Sequence, residues 1–350
     1  MKLIVDSKLH VYDLPSQVLR IVRNELTLPN PEYVSRRRMG RWVPKGLART
    51  LSLVEADRHR RAVILPRGYL DRLLELARGA GVQVEIEDRR LVLPKIDVAF
   101  VGTLRPYQSR AVGEMSKYGS GILQAPCGSG KTAMAMALVA RWRQPALLIA
   151  HTKDLVGQLE QAAVQWLGTV PGRVGDGVWA PGAAVTAGLV QSLAARPEDT
   201  ETLARSVGLV ILDEAHHAPA ETFVDVIQRF RAAIRYGLTA TPDRKDGLGP
   251  FMNATLGPIR AVVTTRDLEE AGVLVRPKVE FIPTTFQYEY ESEEDYQAMI
   301  TVMVQDDERN ALIIDLAARE MNRGAQVLVL TERVGHAQML AQALSRLFPG

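Results

Sequence analysis

The sequence predicts an α/β protein whose main domain is a parallel sheet flanked by helices, preceded by a small α+β domain. From about residue 100 onward, short apolar segments alternate with helical segments, which is typical of a parallel sheet. Within that region a short strand, a loop of small residues and an apolar helix over Ala133–Trp142 follow one another directly. The strands expected for the sheet are Ile122–Leu123, Ala146–Ala150, Ala184–Thr186, Gly208–Leu212 and Tyr236–Leu238.

Residues 1–94 are expected to form the small α+β domain. Apolar residues at alternating or helical spacing predict its elements. These are a strand over Lys2–Val11, a helix over Pro15–Leu26, a strand over Val63–Pro66, a helix over Tyr69–Arg78 and a strand over Val82–Ile86. Pro94 and Lys95 are expected to act as a linker to the main domain, which we assign to residues 100–272.

A second α/β domain is expected to begin near Val275 and to occupy residues 275–350. Its pattern predicts a helix over Asp307–Met321, a strand over Gln326–Leu330 and a helix over Gly335–Leu347. One strand and two helices cannot bury a core of their own. Either this part packs entirely on the main domain or the sequence is a piece of a longer protein, and we favour the second interpretation.

The composition is that of a globular protein, with 47% hydrophobic and 24% charged residues. No apolar run approaches the roughly 18 residues of a membrane span. Charges interrupt Met1–Lys8 too early for a signal peptide. Cys127 is the only cysteine, so an intramolecular disulfide is impossible, which suits a reducing compartment. We therefore expect a cytoplasmic protein without a membrane partner.

Positive charge is concentrated in the N-terminal domain. Residues 1–94 contain 18 Lys and Arg against 11 Asp and Glu, whereas the remaining residues contain 25 against 29. This asymmetry suggests an anionic polymer as a partner, and an ordinary solvated surface is the alternative. Arginine pairs with phosphates and tryptophan stacks on bases. The candidate nucleic-acid contacts in this domain are Arg36, Arg37, Arg38, Arg41 and Trp42; alternatively, they form a solvated loop with Trp42 packed in the core.

The segment Gly121–Thr132 has the features of a phosphate-binding loop between a strand and a helix. Its small residues let backbone N–H groups face phosphate oxygens, and the helix N-terminus adds partial positive charge. Lys131 would reach the β- and γ-phosphates, and the Thr132 hydroxyl would bind Mg²⁺. Ala125 stands where the first glycine is usual, and a helix-opening loop that binds nothing is the alternative. The residues expected to hold the nucleotide are Pro126, Gly128, Ser129, Gly130, Lys131 and Thr132.

An acidic pair follows a second apolar strand. Asp213 and Glu214 come directly after Val207–Leu212. Ligands of open α/β sheets lie at the carboxyl ends of strands, so Asp213 and Lys131 can meet at one nucleotide. Asp213 would hold Mg²⁺, and Glu214 would orient or deprotonate the attacking water. The alternative is a helix cap with an acid in the first turn.

Two further groups follow strands on the same pattern. Adjacent histidines suit a single metal poorly, so we expect a coupling role for His216. Thr239 and Thr241 carry hydroxyls at the end of another strand, and the alternative for them is a capped turn before Pro242.

These segments, in this order and spacing, resemble motifs I, II and III of superfamily 2 helicases. Ala125–Thr132 resembles motif I, Asp213–His216 motif II and Thr239–Thr241 motif III. The resemblance implies two RecA-like domains, the second incomplete in residues 275–350, with ATP bound between them. It also implies coupling roles for Thr239 and Thr241.

The remaining motifs extend the resemblance over residues 104–350. Leu104–Gln108 resembles the segment ahead of motif I, which implies adenine recognition by Gln108 with Arg105 beside it. Segments resembling motifs Ia, Ib and Ic imply backbone contacts with nucleic acid by Thr152, Lys153, Thr186 and Gln191. Thr239–Gly247 is similar to the branch of XPB, UvsW and RadD-like proteins, although Lys245 stands where XPB proteins carry Glu.

The resemblance implies an ATP-dependent DNA helicase or translocase of the DEAH-box type, using Mg²⁺ and serving repair or recombination. DNA, single- or double-stranded, is the expected partner, with a nuclease or repair protein as a further one. No Gln-x-x-Gly-Arg-x-x-Arg motif follows Leu330, so residues 1–350 are expected to bind ATP but hydrolyse it poorly. The alternatives are an RNA helicase, the motor of a restriction or phage-defence system, or a nucleotide-gated DNA-binding module without turnover.

Overall fold

The computed structural model describes residues 1–57, 59–213, 220–240, 249–289 and 295–348. Glu214, His216, Thr241 and Lys245, which carry four of the expectations above, lie outside the described residues. The chain divides into two compact units, Met1–Arg276 and Pro277–Gly350.

The N-terminal part of the first unit contains a five-stranded sheet and three helices. Strand order in this sheet is β5-β6-β2-β1-β7, and only β1 and β7 are parallel. A short 3₁₀ turn, Arg67–Tyr69, precedes the third helix. The elements are β1 Lys2–Val5, β2 Lys8–Tyr12, α1 Ser16–Glu25, β3 Thr27–Pro29, α2 Pro31–Arg38, β4 Thr50–Ser52, β5 Glu55–Asp57, β6 Ala62–Pro66, α3 Leu70–Gly79 and β7 Glu85–Asp88.

The single strand predicted over Lys2–Val11 is wrong, because a turn at Asp6 divides it into a hairpin. The Lys8 N–H donates to the Asp6 carboxylate over 3.0 Å, which is the side-chain-to-backbone bond typical of aspartate turns. Burial alone would raise the pKa of Asp6, but hydrogen bonds from His10 and the Lys8 N–H lower this pKa to about 2. The alternation was interpreted correctly on each side of the turn, since Leu3 and Val11 are buried.

A two-stranded ribbon of β3 and β4 carries a long excursion, residues 30–49, which includes α2. We call residues 27–52 the basic arm. Helix α2 begins after Asn30, whose side chain accepts the Glu32 N–H over 3.0 Å, and no residue of α2 is buried. The arm therefore projects from the domain and is held at its base.

The main sheet has eight strands in the order β11-β10-β12-β9-β13-β14-β8-β15, all parallel except β11. The five strands predicted from the sequence are confirmed, although their bounds shift by a few residues. The elements are α4 Pro106–Met115, β8 Ser120–Gln124, α5 Lys131–Trp142, β9 Ala146–Ala150, α6 Lys153–Leu167, β10 Gly172–Gly175, β11 Val178–Ala180, β12 Val185–Leu189, α7 Val190–Ala195, α8 Pro197–Ala204, β13 Leu209–Leu212, α9 Ala220–Gln228, β14 Ile234–Thr239, α10 Gly249–Leu256, β15 Ile259–Val262 and α11 Thr265–Glu270.

The sequence did not predict the two edge strands, β11 and β15, or β10, which lies next to β11. These strands have three or four residues, and β10 contains two glycines, so they carry little of the apolar pattern of a buried strand.

The segment after β7 is docked along the main domain, although Pro94 and Lys95 predicted a linker. Gln144 holds Leu93 by two hydrogen bonds, accepting from its N–H over 2.7 Å and donating to its carbonyl over 2.8 Å. Further along, Phe100 stacks on Trp166 with ring centroids 5.4 Å apart. The N-terminal part and the main sheet are thus joined by a fixed strap.

The second unit contains three helices in its described residues, α12 Tyr296–Met303, α13 Asp307–Asn322 and α14 Val334–Leu347. The helices predicted over Asp307–Met321 and Gly335–Leu347 are confirmed. The strand predicted over Gln326–Leu330 is wrong, since this segment has no regular structure and Leu328 and Leu330 are exposed. An apolar run becomes a strand only beside another strand, and the described residues from 277 to 348 include none.

No helix within the described part of the chain is long and apolar enough to cross a membrane.

Candidate functional site

The phosphate-binding loop joins β8 to α5 and is tied to the neighbouring strand. The Ala125 N–H donates to the Thr239 carbonyl over 2.9 Å, so the loop starts against the end of β14. Gly128 and Gly130 both have φ of +78°, a conformation that costs a side-chain-bearing residue roughly 1–2 kcal/mol. Ala125 itself is fully buried, which shows that alanine fits where a glycine is more usual.

The side chain of Gln108 lies against this loop. Its amide nitrogen donates to the Ser129 carbonyl over 2.9 Å, and its amide oxygen accepts from the Arg105 N–H over 2.9 Å. A Cβ atom added at Gly130 would come within 2.4 Å of the Gln108 amide nitrogen. Tyr107, which the sequence did not single out, donates its hydroxyl to the same Ser129 carbonyl over 3.1 Å. Arg105, Tyr107 and Gln108 thus support the loop from one side.

The carboxyl ends of three adjacent strands gather the polar residues. Lys131 follows β8, Asp213 follows β13 and Thr239 ends β14, which lies between those two strands. Lys131 is 8% exposed and donates from Nζ to the Ala125 carbonyl over 3.2 Å, and Asp213 is 6% exposed. The parallel topology therefore brings to one edge a lysine, a carboxylate and a threonine that lie far apart along the chain.

The side chain of Ser129 places a hydroxyl group without a hydrogen-bond partner inside the loop. Its side chain is fully buried, and its Oγ has no hydrogen-bond partner within the described part of the chain. A buried hydroxyl without a partner costs roughly 1–3 kcal/mol, so this atom can gain from a polar ligand. Together with the left-handed glycines, it fits a loop shaped to receive phosphate oxygens. No group of three or more potential metal ligands occurs among the described residues.

Three of the four predicted backbone contacts lie on the same edge of the sheet. Thr152 caps α6 by accepting the Leu155 N–H over 3.3 Å, and Lys153 forms an ion pair with Asp176. Gln191 donates from its side chain to the His151 carbonyl over 3.1 Å and so joins the ends of β12 and β9. Thr152, Lys153 and Gln191 are all exposed.

The expectation that Thr186 contacts nucleic acid is contradicted by its position. Thr186 is 2% exposed and lies near the start of β12, away from the carboxyl edge. Its hydroxyl accepts the Gly182 N–H over 3.0 Å. Because the side chain is used inside the sheet, it is not available to a ligand at the surface.

Residues 102–244 match the family described as "Type III restriction enzyme, res subunit". The chain is 35% identical over 156 residues to the DNA 3'-5' translocase XPB2 of Sulfurisphaera tokodaii, covering 45% of this chain and 35% of that protein. It is 25% identical over 276 residues to the XPB subunit of the general transcription and DNA repair factor IIH of Schizosaccharomyces pombe, covering 72% and 34%. The chain therefore spans about a third of the length of these two relatives.

Among solved structures, UvsW of bacteriophage T4 has the same fold. It superposes with a TM-score of 0.56 at 18% identity, covering 99% of this chain and 73% of that one. The chain is therefore similar in sequence to XPB proteins and similar in fold to UvsW. Its mostly parallel eight-stranded sheet is similar to the RecA-like domains of helicases.

The basic arm exposes most of the arginines singled out from the sequence. Arg36 is partly held by an ion pair with Glu32 at 2.8 Å, whereas Arg37, Arg38 and Arg41 are exposed. Trp42 is 75% exposed, so the alternative that it packs in the core is wrong. The arm therefore presents cationic guanidinium groups and an aromatic ring that can stack on a base to solvent.

A buried arginine behind the site joins several backbone segments, and the sequence did not reveal it. Arg235, in β14, is fully buried and donates to the carbonyls of Ser7, Ile227, Phe230 and Thr255 at 2.8–3.4 Å. Burial lowers the pKa of Arg235 to about 9. No pattern in the sequence distinguishes such an arginine from a surface one, because its partners are backbone carbonyls of three separate segments.

Proposed function

We propose that the protein is an ATP-dependent DNA translocase or helicase that serves repair or recombination. The observation that carries this proposal is the shared edge of the sheet. Thr239 ends β14, and Lys131 and Asp213 follow the strands on its two sides, β8 and β13. The exposed Thr152 and Gln191 follow the next two strands, β9 and β12. A nucleotide site beside a track for a polymer backbone is the arrangement that a motor requires.

ATP would be held chiefly by the loop of β8. The backbone of Gly128, Ser129 and Gly130 would face the phosphates, and the Lys131 ammonium would neutralise the β- and γ-phosphate charge. The unpartnered Ser129 hydroxyl supports a polar ligand here. Pro126 continues the loop wall, and Gln108 with Arg105 would lie beside the adenine, as the family resemblance implies.

Mg²⁺, when bound, would supply positive charge that offsets the negative charge developing in phosphoryl transfer. Thr132 and Asp213 are the residues proposed to hold it. Glu214 would orient and deprotonate the attacking water, so the protein contributes position and charge rather than a covalent intermediate. His216, Thr239 and Thr241 would couple the nucleotide state to the polymer track.

The polymer is proposed to be DNA. One relative is named a DNA 3'-5' translocase and another a DNA repair factor subunit. Thr152, Lys153 and Gln191 would contact phosphates and sugars, which position a strand without reading its sequence. The arm residues Arg36–Arg38, Arg41 and Trp42 would add a second contact. Repair proteins or a nuclease would be further partners of the protein in repair or recombination.

Steady-state ATP hydrolysis by the full-length protein, alone and with duplex DNA, single-stranded DNA or RNA, tests the proposal. We expect stimulation by DNA and not by RNA, with Lys131→Ala as the control for contaminating turnover. Stimulation by RNA alone would replace DNA with RNA as substrate and leave the nucleotide site intact. Nucleotide binding without turnover on any polymer would instead identify a switch module.

A further inference from the structure

Helix α10 belongs to two hydrophobic cores at once. Met252 and Leu256 pack in the core of the main sheet together with Ile122 of β8. On its other side, Ala254 is part of the core of the N-terminal domain. This helix begins at Gly249, shortly after the Thr239–Thr241 segment, so it is the first described element downstream of motif III.

The basic arm is anchored on the same helix. Phe251 is 3% exposed, and the side chains packed around it are Leu28, Leu51 and Leu53. Leu28 lies in β3 and Leu51 in β4, so both strands of the arm rest on this one ring. Burying a phenylalanine side chain contributes about 1.5–3 kcal/mol, which makes Phe251 the main apolar attachment of the arm base.

The C-terminal end of α10 lies so close to Gly68 of the N-terminal domain that no side chain fits at this glycine. A Cβ at Gly68, in the turn before α3, would meet the Gly257 nitrogen at 2.3 Å and the Ala254 carbonyl at 2.7 Å. Arg235 donates to the Thr255 carbonyl over 3.2 Å and to the Ser7 carbonyl over 3.4 Å. The helix therefore packs closely against both the N-terminal domain and β14.

The opposite face of α10 presses on the strand that ends at Thr239. A Cβ at Gly237 would lie 2.5 Å from Cδ1 of Leu256, so this leucine packs directly on the β14 backbone. Thr239 follows in the same strand, and its carbonyl receives the Ala125 N–H at the start of the phosphate loop. A continuous packed path thus runs from the arm through Phe251 and Leu256 to the nucleotide site.

We propose that Phe251 is a positioning residue that couples the basic arm to the nucleotide site through α10. This inference rests on the proposed function, because it assigns the DNA-dependent step to a particular contact. DNA on the arm biases the position of α10, and α10 in turn sets the end of β14 beside the loop. By thermodynamic reciprocity, nucleotide in the site must change the affinity of the arm for DNA by the same factor.

The test measures duplex DNA affinity with and without a non-hydrolysable ATP analogue and Mg²⁺, for the wild type and for Phe251→Ala. We expect the analogue to change the wild-type Kd by about fivefold or more, and the Phe251→Ala Kd by less than about twofold. The readout is the ratio of the two Kd values within each variant, because loosening the base of the arm also changes the Kd for DNA without nucleotide. Phe251→Leu, which keeps an apolar contact, should restore most of the linkage.

Two further variants separate coupling from general loss of packing. Leu3→Ala removes a fully buried side chain of β1, in the N-terminal core, and should retain the linkage in folded protein. Leu51→Ala should weaken it from the arm side, and the Leu51→Ala, Phe251→Ala pair should be no worse than Phe251→Ala alone, as expected for residues in contact.

Several results would overturn the inference. If Phe251→Ala retains the nucleotide-dependent change in Kd, this residue has no coupling role. If Leu3→Ala loses that change to the same extent, the effect results from lower stability. A wild type that shows DNA-stimulated hydrolysis but no nucleotide-dependent change in Kd would reject the coupling while leaving the proposed function standing. A wild type with neither DNA binding nor stimulation would reject the function itself.

Discussion

The Ala125 N–H donates to the Thr239 carbonyl over 2.9 Å, so the start of the phosphate loop and the end of β14 are held together by a backbone bond. Because β14 lies between β8 and β13, this bond also fixes the loop relative to Asp213. The geometry of the candidate nucleotide site is therefore set by the sheet rather than by side-chain contacts alone.

Replacing Lys131 with alanine should weaken nucleotide binding by about 100-fold, because charge-assisted bonds to the β- and γ-phosphates contribute about 1.5–3 kcal/mol. Calorimetric titration with ATP and Mg²⁺ measures this. Lys117→Ala, at a lysine paired with Glu114 near the end of α4, is the matched control and should bind as wild type. Unchanged affinity in Lys131→Ala would exclude a phosphate-binding role.

Two glycines of the loop separate backbone strain from steric clash. Gly128 and Gly130 share a φ of +78°, but only at Gly130 would a Cβ meet another atom, the Gln108 amide nitrogen at 2.4 Å. We expect Gly128→Ala to weaken ATP binding about tenfold through strain of roughly 1–2 kcal/mol, and Gly130→Ala to weaken it at least about tenfold more. Equal affinities of the two variants would mean that the Gln108 side chain moves away from the added methyl group without a loss of binding free energy.

Glu214→Gln should preserve ATP binding and lower kcat by about 10²- to 10⁴-fold, the usual contribution of a general base. The amide keeps the size of the side chain but cannot accept the proton of water. Binding is followed with a fluorescent ATP analogue and turnover by phosphate release. A variant that still hydrolyses ATP at the wild-type rate would remove Glu214 from that role.

Changing Arg36, Arg37 and Arg38 to alanine should weaken DNA binding and reduce its salt dependence. Each phosphate contact removed lowers the magnitude of the log–log salt slope by about 0.9, so three contacts give a loss of up to about 2.7. The slope is measured by fluorescence anisotropy over a range of salt concentrations. Arg141→Ala, at an exposed arginine of α5 outside the arm, serves as the control. An unaltered slope in the triple variant would mean that these arginines do not contact DNA phosphates.

Arg235→Met should lower the free energy of unfolding by about 3 kcal/mol or more, since it leaves several buried carbonyls without their donor. Urea unfolding followed by tryptophan fluorescence measures the effect. Arg231→Met is the matched control, because that arginine is exposed and makes one hydrogen bond, to the Arg89 carbonyl. A change below about 1 kcal/mol in Arg235→Met would show that the guanidinium is replaceable.

The sequence predicted the central strands and the loop well because their signals are local. A run such as Ala146–Ala150 is apolar throughout, as a strand buried on both faces must be, and the residues of Gly121–Thr132 are constrained by the turn they form. Edge strands such as β15 were missed because an edge needs no continuous apolar run. The strand over Gln326–Leu330 was predicted in error because pattern alone does not supply a pairing partner.

The sequence by itself determined the order of the motifs, the residue types of the nucleotide site and the charge of the basic arm, since these depend on chemistry within short segments. Only the tertiary structure decided that Thr186 is buried, that Trp42 is exposed and that Phe251 joins the arm to the main sheet. Burial and long-range packing depend on which segments meet, and that information resides in the topology of the whole sheet rather than in any local pattern.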